Sequence, residues 1–172
     1  MNNQRNVTII ADMDGRSIVV INDIRFRGKS WNEWDEIEEY LRQYVGECYE
    51  ILETSEKIFV GDDFPDEYVG SNYTAKLWPD KNFVKANASQ GIPELIEIST
   101  KEDSTNNTKS KHSDDAEFGW SVYRTRFALP KYVQMEGVYK LTGYKIYRAD
   151  LIVREDHMNE KYLYDLINIK RL

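Results

Sequence analysis

The chain has 172 residues, one cysteine, 31% charged residues and a net charge of −7. That length carries a single domain with its own core, and one cysteine excludes an intramolecular disulfide and fits a reducing, cytoplasmic setting. The acidity argues against a general nucleic-acid binder, because neutralising phosphates needs a basic surface.

The start, MNNQRNVTII, has no charged segment leading into a long apolar run, so no secretory leader is expected. No stretch approaches the roughly 18 apolar residues of a membrane span, so no membrane partner is expected. VTIIAD, MDGR and SIVVINDIRF together predict a β-hairpin, with Asp14-Gly15 supplying the positive φ angles of a tight turn. The nearly unbroken run IVVI predicts a strand covered on both faces.

Ser30-Trp31-Asn32-Glu33 has the form of a helix capping box. Behind it Trp34, Ile37, Leu41 and Tyr44/Val45 recur at spacings of three and four, which predicts one apolar helical stripe ending at Gly46. The opposite face carries Glu33, Asp35, Glu36, Glu38 and Glu39. ECYEILE and EKIFVGDD predict two short strands joined through Thr54-Ser55. FPDEYVGSNYTAKLWP, with two prolines and a glycine, is expected to be irregular. Asp80 is expected to cap a helix through KNFVKANASQ that Gly91 ends. IPELIEIST is read as a short helix starting near Pro93. KEDSTNNTKSKHSDD is polar and of low complexity, and is read as a loop.

After it, SVYRTRFAL alternates Val122, Arg124, Arg126 and Ala128 against Tyr123, Thr125, Phe127 and Leu129. With KLTGYKIYRADLIVRED and EKYLYDLINIKRL, joined through EDHMNE, it predicts an antiparallel meander. The expected class is α+β, with helices packed on an antiparallel sheet. Within one domain, residues 1–67 form an acidic ββαββ submodule and 68–172 form helices plus the meander.

Charge is distributed unevenly. From Glu33 to Glu67 there are thirteen acidic and two basic residues, a local net of −11, which leaves +4 for the rest. Carboxylates on a helix and adjoining loop can imitate phosphates and seat on a basic groove of a nucleic-acid enzyme. Glu33, Glu36, Glu39, Asp62, Asp63, Asp66 and Glu67 are the residues expected to bind such a partner. Ser121–Leu172 carries ten Lys/Arg against six Asp/Glu. Direct nucleic-acid contact is expected only if Arg124, Arg126 and Arg148 form a face.

No metal or other cofactor is expected. His112 with Asp114 and Asp115, and Asp156-His157, match no zinc spacing. Cys48 lies in CYEIL without a histidine or cation beside it, and is expected to be a buried structural thiol. Histidine, tyrosine and arginine can together move the 2′-hydroxyl proton and stabilise the charged transition state of RNA cleavage. His112, Tyr123, Arg124, Arg126 and Tyr164 are therefore the candidate catalytic residues of a metal-independent ribonuclease.

Four stretches are familiar together: IVVINDIRFRGKSWNEWDEIEEYL, KANASQGIPELIEIST, KHSDDAEFGWSVYRTRFALP and the ending KYLYDLINIKR. Over roughly residues 18–170 they resemble a phage and mobile-element family of large polyvalent-protein-associated domains, related to nuclease-like domains of the barnase/EndoU/colicin/RelE class. The resemblance implies a mobile-element origin, a bacterial host cytoplasm and helices on a four-stranded antiparallel sheet. In a nuclease it maps function onto His112, Trp120, Tyr123, Arg126 and Tyr164. KEDSTNNTKS and WPDKNF depart from the pattern. Acidity favours an accessory protein that binds a host protein, such as a counter-defence inhibitor of the anti-CRISPR type. A ribonuclease and a structural module of a phage polyprotein are the alternatives.

Overall fold

A computed structural model describes residues 5–27, 33–105 and 119–172. Its described strands form one eight-stranded sheet, in the order β1 (Val7–Ala11), β2 (Ser17–Ile21), β6 (Gly119–Met135), β7 (Val138–Glu155), β8 (Lys161–Arg171), β4 (Lys57–Phe59), β3 (Cys48–Glu50). β5 (Thr100–Thr105) also pairs with β6. The helices are α1 (Glu33–Leu41), α2 (Phe64–Gly70), α3 (Asn72–Ala75), α4 (Pro79–Ala88) and α5 (Ile92–Glu97). The α+β class expected from the sequence is the class observed.

The meander β6-β7-β8 is antiparallel throughout, as its period-two pattern predicts. Two parallel pairings extend it: β2 joins β6 at Val19–Val20, and β4 joins β8 at Ile58–Phe59. The two predicted submodules therefore share one sheet, with more than the four strands the resemblance implies. Tyr123, Thr125, Phe127 and Leu129 face the helices and are buried. They pack with β2, β7 and β8 side chains and with Ile37, Leu41, Tyr68, Ile92 and Leu95 in one core. On the other face Ile18, Val20 and Ala128 form a small separate cluster with Ile146. Strand β2 is thus covered on both faces, which is why IVVI is unbroken.

The N-terminal hairpin turns at Gly15 (φ +79°), where the Asp12 carboxylate accepts from the backbone N–H groups of Asp14 and Arg16. Gly46 (φ +89°) follows α1 and its 3-10 extension. The capping-box serine lies outside the described residues.

Four local expectations are corrected. FPDEYVGSNYTAKLWP forms α2 and α3: Pro65 sits in the first turn of α2, where its missing N–H costs nothing, and the Ser71 side chain caps α3 by accepting from Thr74 N–H at 3.2 Å. Asp80 is not a cap. α4 begins at Pro79 behind Trp78, because the fixed proline φ suits the first helical position. The start of the polar stretch, Thr100–Thr105, is a strand. β6 supplies its ladder, and polar composition suits an edge. Cys48 is exposed, because alternation in a three-residue edge strand turns Cys48 and Glu50 outward and Tyr49 inward. IPELIE is helical, as read.

Candidate functional site

Helices α1 and α2 pack side by side. Their apolar stripes explain why. Ile37 and Leu41 on one, and Phe64 and Tyr68 on the other, are fully buried in the common core. Their polar faces consequently merge. Asp35, Glu36, Glu39, Asp62, Asp63 and Asp66 are exposed, and Glu33, Glu38 and Glu67 are half-buried beside them.

Glu38 and Asp66 mark the seam. A hydrogen bond between their carboxyl groups, with burial and Coulombic repulsion added, raises the Glu38 pKa. Two carboxyls in contact resist double ionisation because of the repulsion between like charges. Cations only partly relieve it. Arg42 reaches Glu38 at 3.1 Å and Glu39 at 3.7 Å, and Arg154 reaches Asp63 at 3.4 Å. Glu38 of α1 and Asp66 of α2 thus meet at one seam. Asp35, three residues before Glu38, lies on the same side of α1, whereas Glu36, two residues before it, points to another side.

The residues of the catalytic reading are distributed differently. His112, Asp114 and Asp115 lie outside the described residues. Tyr123 is fully buried on the helix face of β6, where its hydroxyl donates to Glu56 at 2.9 Å. Burial, then that hydrogen bond, pushes its pKa far up, so the phenol stays protonated. Arg124 and Arg126 sit on the opposite face of the same strand, because β alternation sends neighbours to opposite sides. Arg124 donates to Asp150 at 3.1 Å, and Arg126 donates to Asp12 at 2.7 Å. The bond from Arg126 is the main cause of the lowered Asp12 pKa. Tyr164 lies half-buried edge-on to Trp120, with centroids 4.9 Å apart. The described residues therefore group Arg124 and Arg126 on one face and leave Tyr123 on the other.

One cationic row crosses the open face. Arg126, Arg148 and Lys170 are directly opposite one another on β6, β7 and β8. Among the described residues no group of three His, Cys, Asp or Glu side chains converges to hold a metal. His157 is exposed in the β7–β8 turn, where Asp156 accepts from the N–H groups of Met158 and Glu160.

The polar stretch KANASQG is structural. Lys85 is 0% exposed, and its ammonium donates to Asp165 at 2.7 Å and Thr74 at 2.6 Å. Burial lowers the Lys85 pKa and raises that of Asp165, and in each case the contact between them opposes the shift. The Asn87 carboxamide accepts from the N–H groups of Arg25 and Phe26 and donates to the carbonyls of Phe26 and Phe83. Gln90 donates to the Asp23 carbonyl, and Ser89 O accepts from the Tyr44 hydroxyl. Gly91 lies so close to β2 that a Cβ would meet Val19 and Ile21 at 3.3 Å. These residues bind the segment after β2, α1 and β8 to the centre of the molecule.

No protein-family model, no curated protein and no solved structure matches this chain.

Proposed function

We propose that the chain is a phage or mobile-element accessory protein that binds a host protein through its acidic α1–α2 face. The target class is a nucleic-acid-handling protein with a basic groove, as a counter-defence inhibitor of the anti-CRISPR type would require. The carrying observation is the side-by-side packing of the two acidic helices α1 and α2, which brings Glu38 and Asp66 together. Like charges held together weaken the isolated fold. A basic partner relieves that repulsion on docking and is steered toward the face by its field. Glu33, Glu36, Glu39, Asp62, Asp63, Asp66 and Glu67 make the contact. The mobile-element origin rests on the sequence resemblance.

The test is capture of partners from host lysate by the wild type and by the quadruple variant Glu36→Lys, Glu39→Lys, Asp62→Lys, Asp63→Lys. A partner held by the wild type, displaced by competing nucleic acid and lost from the folded variant supports the reading. Equal capture by the variant sinks it.

The row of Arg126, Arg148 and Lys170 favours a second reading, in which the open face contacts RNA and His112 with Tyr164 supports metal-independent cleavage. Incubation with total RNA and tRNA without metal separates the two. The first reading expects intact RNA, whereas cleavage that disappears in His112→Ala establishes the second.

A further inference from the structure

The hairpin of β6 and β7 outruns its neighbours in the sheet. β2 pairs with β6 only at Phe127–Ala128, and the end of β8 reaches β7 only as far as Ile146, whose carbonyl accepts from Leu172 N–H. From Pro130 to Tyr144 the two strands pair only with each other, around a turn at Glu136 (φ +53°) and Gly137 (φ +78°). Residues 131–142 are all exposed, yet half of them are large apolar or aromatic side chains. Tyr132 (46% exposed), Tyr139 (68%), Leu141 (49%) and Tyr144 (46%) line one face by register, and Val133, Met135 and Val138 the other. A lone two-stranded ribbon is marginal in water, and its outer edges leave backbone groups open to another strand. At its base lies an apolar depression of about 340 Å³, lined chiefly by Ile10, Ile18, Val20, Ala128, Ile146 and Tyr144.

We propose that this ribbon is a dimerisation arm. Two copies of the chain pair about a two-fold axis, each laying its ribbon along the other's open edge and over the other's apolar depression. Self-association is favoured because a two-fold interface must be self-complementary. This chain carries both the projection and the recess, and Tyr144 belongs to both. The area is sufficient. At about 200 Å² for a large aromatic side chain, the three tyrosines alone leave about 300 Å² of open aromatic surface per copy. With the aliphatic side chains included, two paired copies reach the roughly 1,000 Å² that a specific interface needs.

Charge agrees. The segment from Lys131 to Tyr144 holds Lys131, Lys140 and one carboxylate, Glu136, so two ribbons meet with little repulsion. Two copies meeting through α1–α2 would instead oppose two acidic faces. The acidic face lies near the far end of β7, where Arg154 contacts Asp63. That is about 50 Å along the strand from the turn at about 3.3 Å per residue. A dimer therefore leaves both acidic faces open and displays them in pairs.

Sedimentation velocity of the full chain, over about two decades of concentration, tests this beside three variants. They are the double variant Tyr139→Glu, Leu141→Glu, a chain with residues 131–143 replaced by Asn-Gly, and the Lys quadruple variant of the acidic face. The wild type should be a reversible dimer. The glutamate pair should raise its dissociation constant by at least about 100-fold, and the shortened chain should be a folded monomer. The acidic-face variant should still dimerise, so the result stands apart from the fate of the binding reading. A wild type that stays monomeric throughout overturns the proposal. So does a shortened chain that dimerises as well as the wild type, or association that grows past two copies.

Discussion

Helices α1 and α4 are of nearly equal length, nine and ten residues, and both are rich in polar side chains. They meet opposite fates. α1 turns its carboxylates to water, where they repel one another and are partly countered by Arg42. The C-terminal half of α4 lies inside the fold, where Lys85 and Asn87 are 0% exposed and their donors and acceptors are engaged by named partners. The difference shows that polarity does not mark a surface. What matters is whether the fold supplies partners: a buried polar group without them costs several kcal/mol, and a solvated one costs almost nothing.

The comparison can be broken most forcefully at Lys85. Lys85→Met leaves the Asp165 carboxylate buried without its cation, and should destabilise the protein by about 3–5 kcal/mol in urea unfolding. Adding Asp165→Leu should recover most of that loss, because an apolar pair of similar volume removes both desolvation penalties. A double variant as unstable as the single one would show that the pair is not the origin of the effect. Asn87→Ala comes next. It leaves the N–H groups of Arg25 and Phe26 unpaired and should lower stability by about 1–3 kcal/mol. Thermal unfolding of the alanine variant at wild-type stability would contradict the clamp.

On the α1 side the same measurements should barely move. The four-lysine variant of the acidic face should stay within about 0.5 kcal/mol of the wild type, since the repulsion removed among the carboxylates offsets the lost surface contacts of Glu39 with Arg42 and Asp63 with Arg154. A large loss would mean that the carboxylates hold the fold rather than a partner. The smallest effects are pH effects of opposite sign. Glu38 has a raised pKa in the fold, so the folded state binds its proton more tightly than the unfolded chain does. Its contribution therefore improves as pH falls from above the raised value toward the ordinary carboxylate range. Glu38→Gln should accordingly be more stable than the wild type at pH 7, with the advantage shrinking at pH 5. Glu56 behaves in reverse. Burial alone would raise its pKa, but hydrogen bonds from Lys161, at 2.7 Å, and Tyr123 outweigh burial and lower it. Its stabilisation is present above the ordinary carboxylate range and is lost as pH falls through the lowered value. Glu56→Gln should therefore cost stability at pH 7 and progressively less in acid. Curves that move together for both glutamates would refute the assignment.

How far the candidate site was legible depends on the residue. Helix α1 and its acidic face were readable because a spacing of three and four is a local property of the chain. That α2 lies beside it was not, because Pro65 and Gly70 look like loop signals until the proline is seen to occupy a first turn. Arg124 and Tyr123 are adjacent in sequence and read there as one cluster. Strand alternation separates them, and only the packing of the helices decides which face is covered.

By itself, then, the order of residues determined the local periods: the hairpin at Gly15, the stripe of α1, the alternation of β6 and the concentration of charge between Glu33 and Glu67. These depend on backbone geometry and on neighbours within a few positions. Tertiary structure alone decided that Lys85 finds Asp165, 80 positions away, and that Glu38 meets Asp66. It also decided that β6 and β7 run on past β2 and β8 into open solvent. Those outcomes turn on which distant segments fill the same volume, and burial of the shared core, not any local pattern, makes that choice.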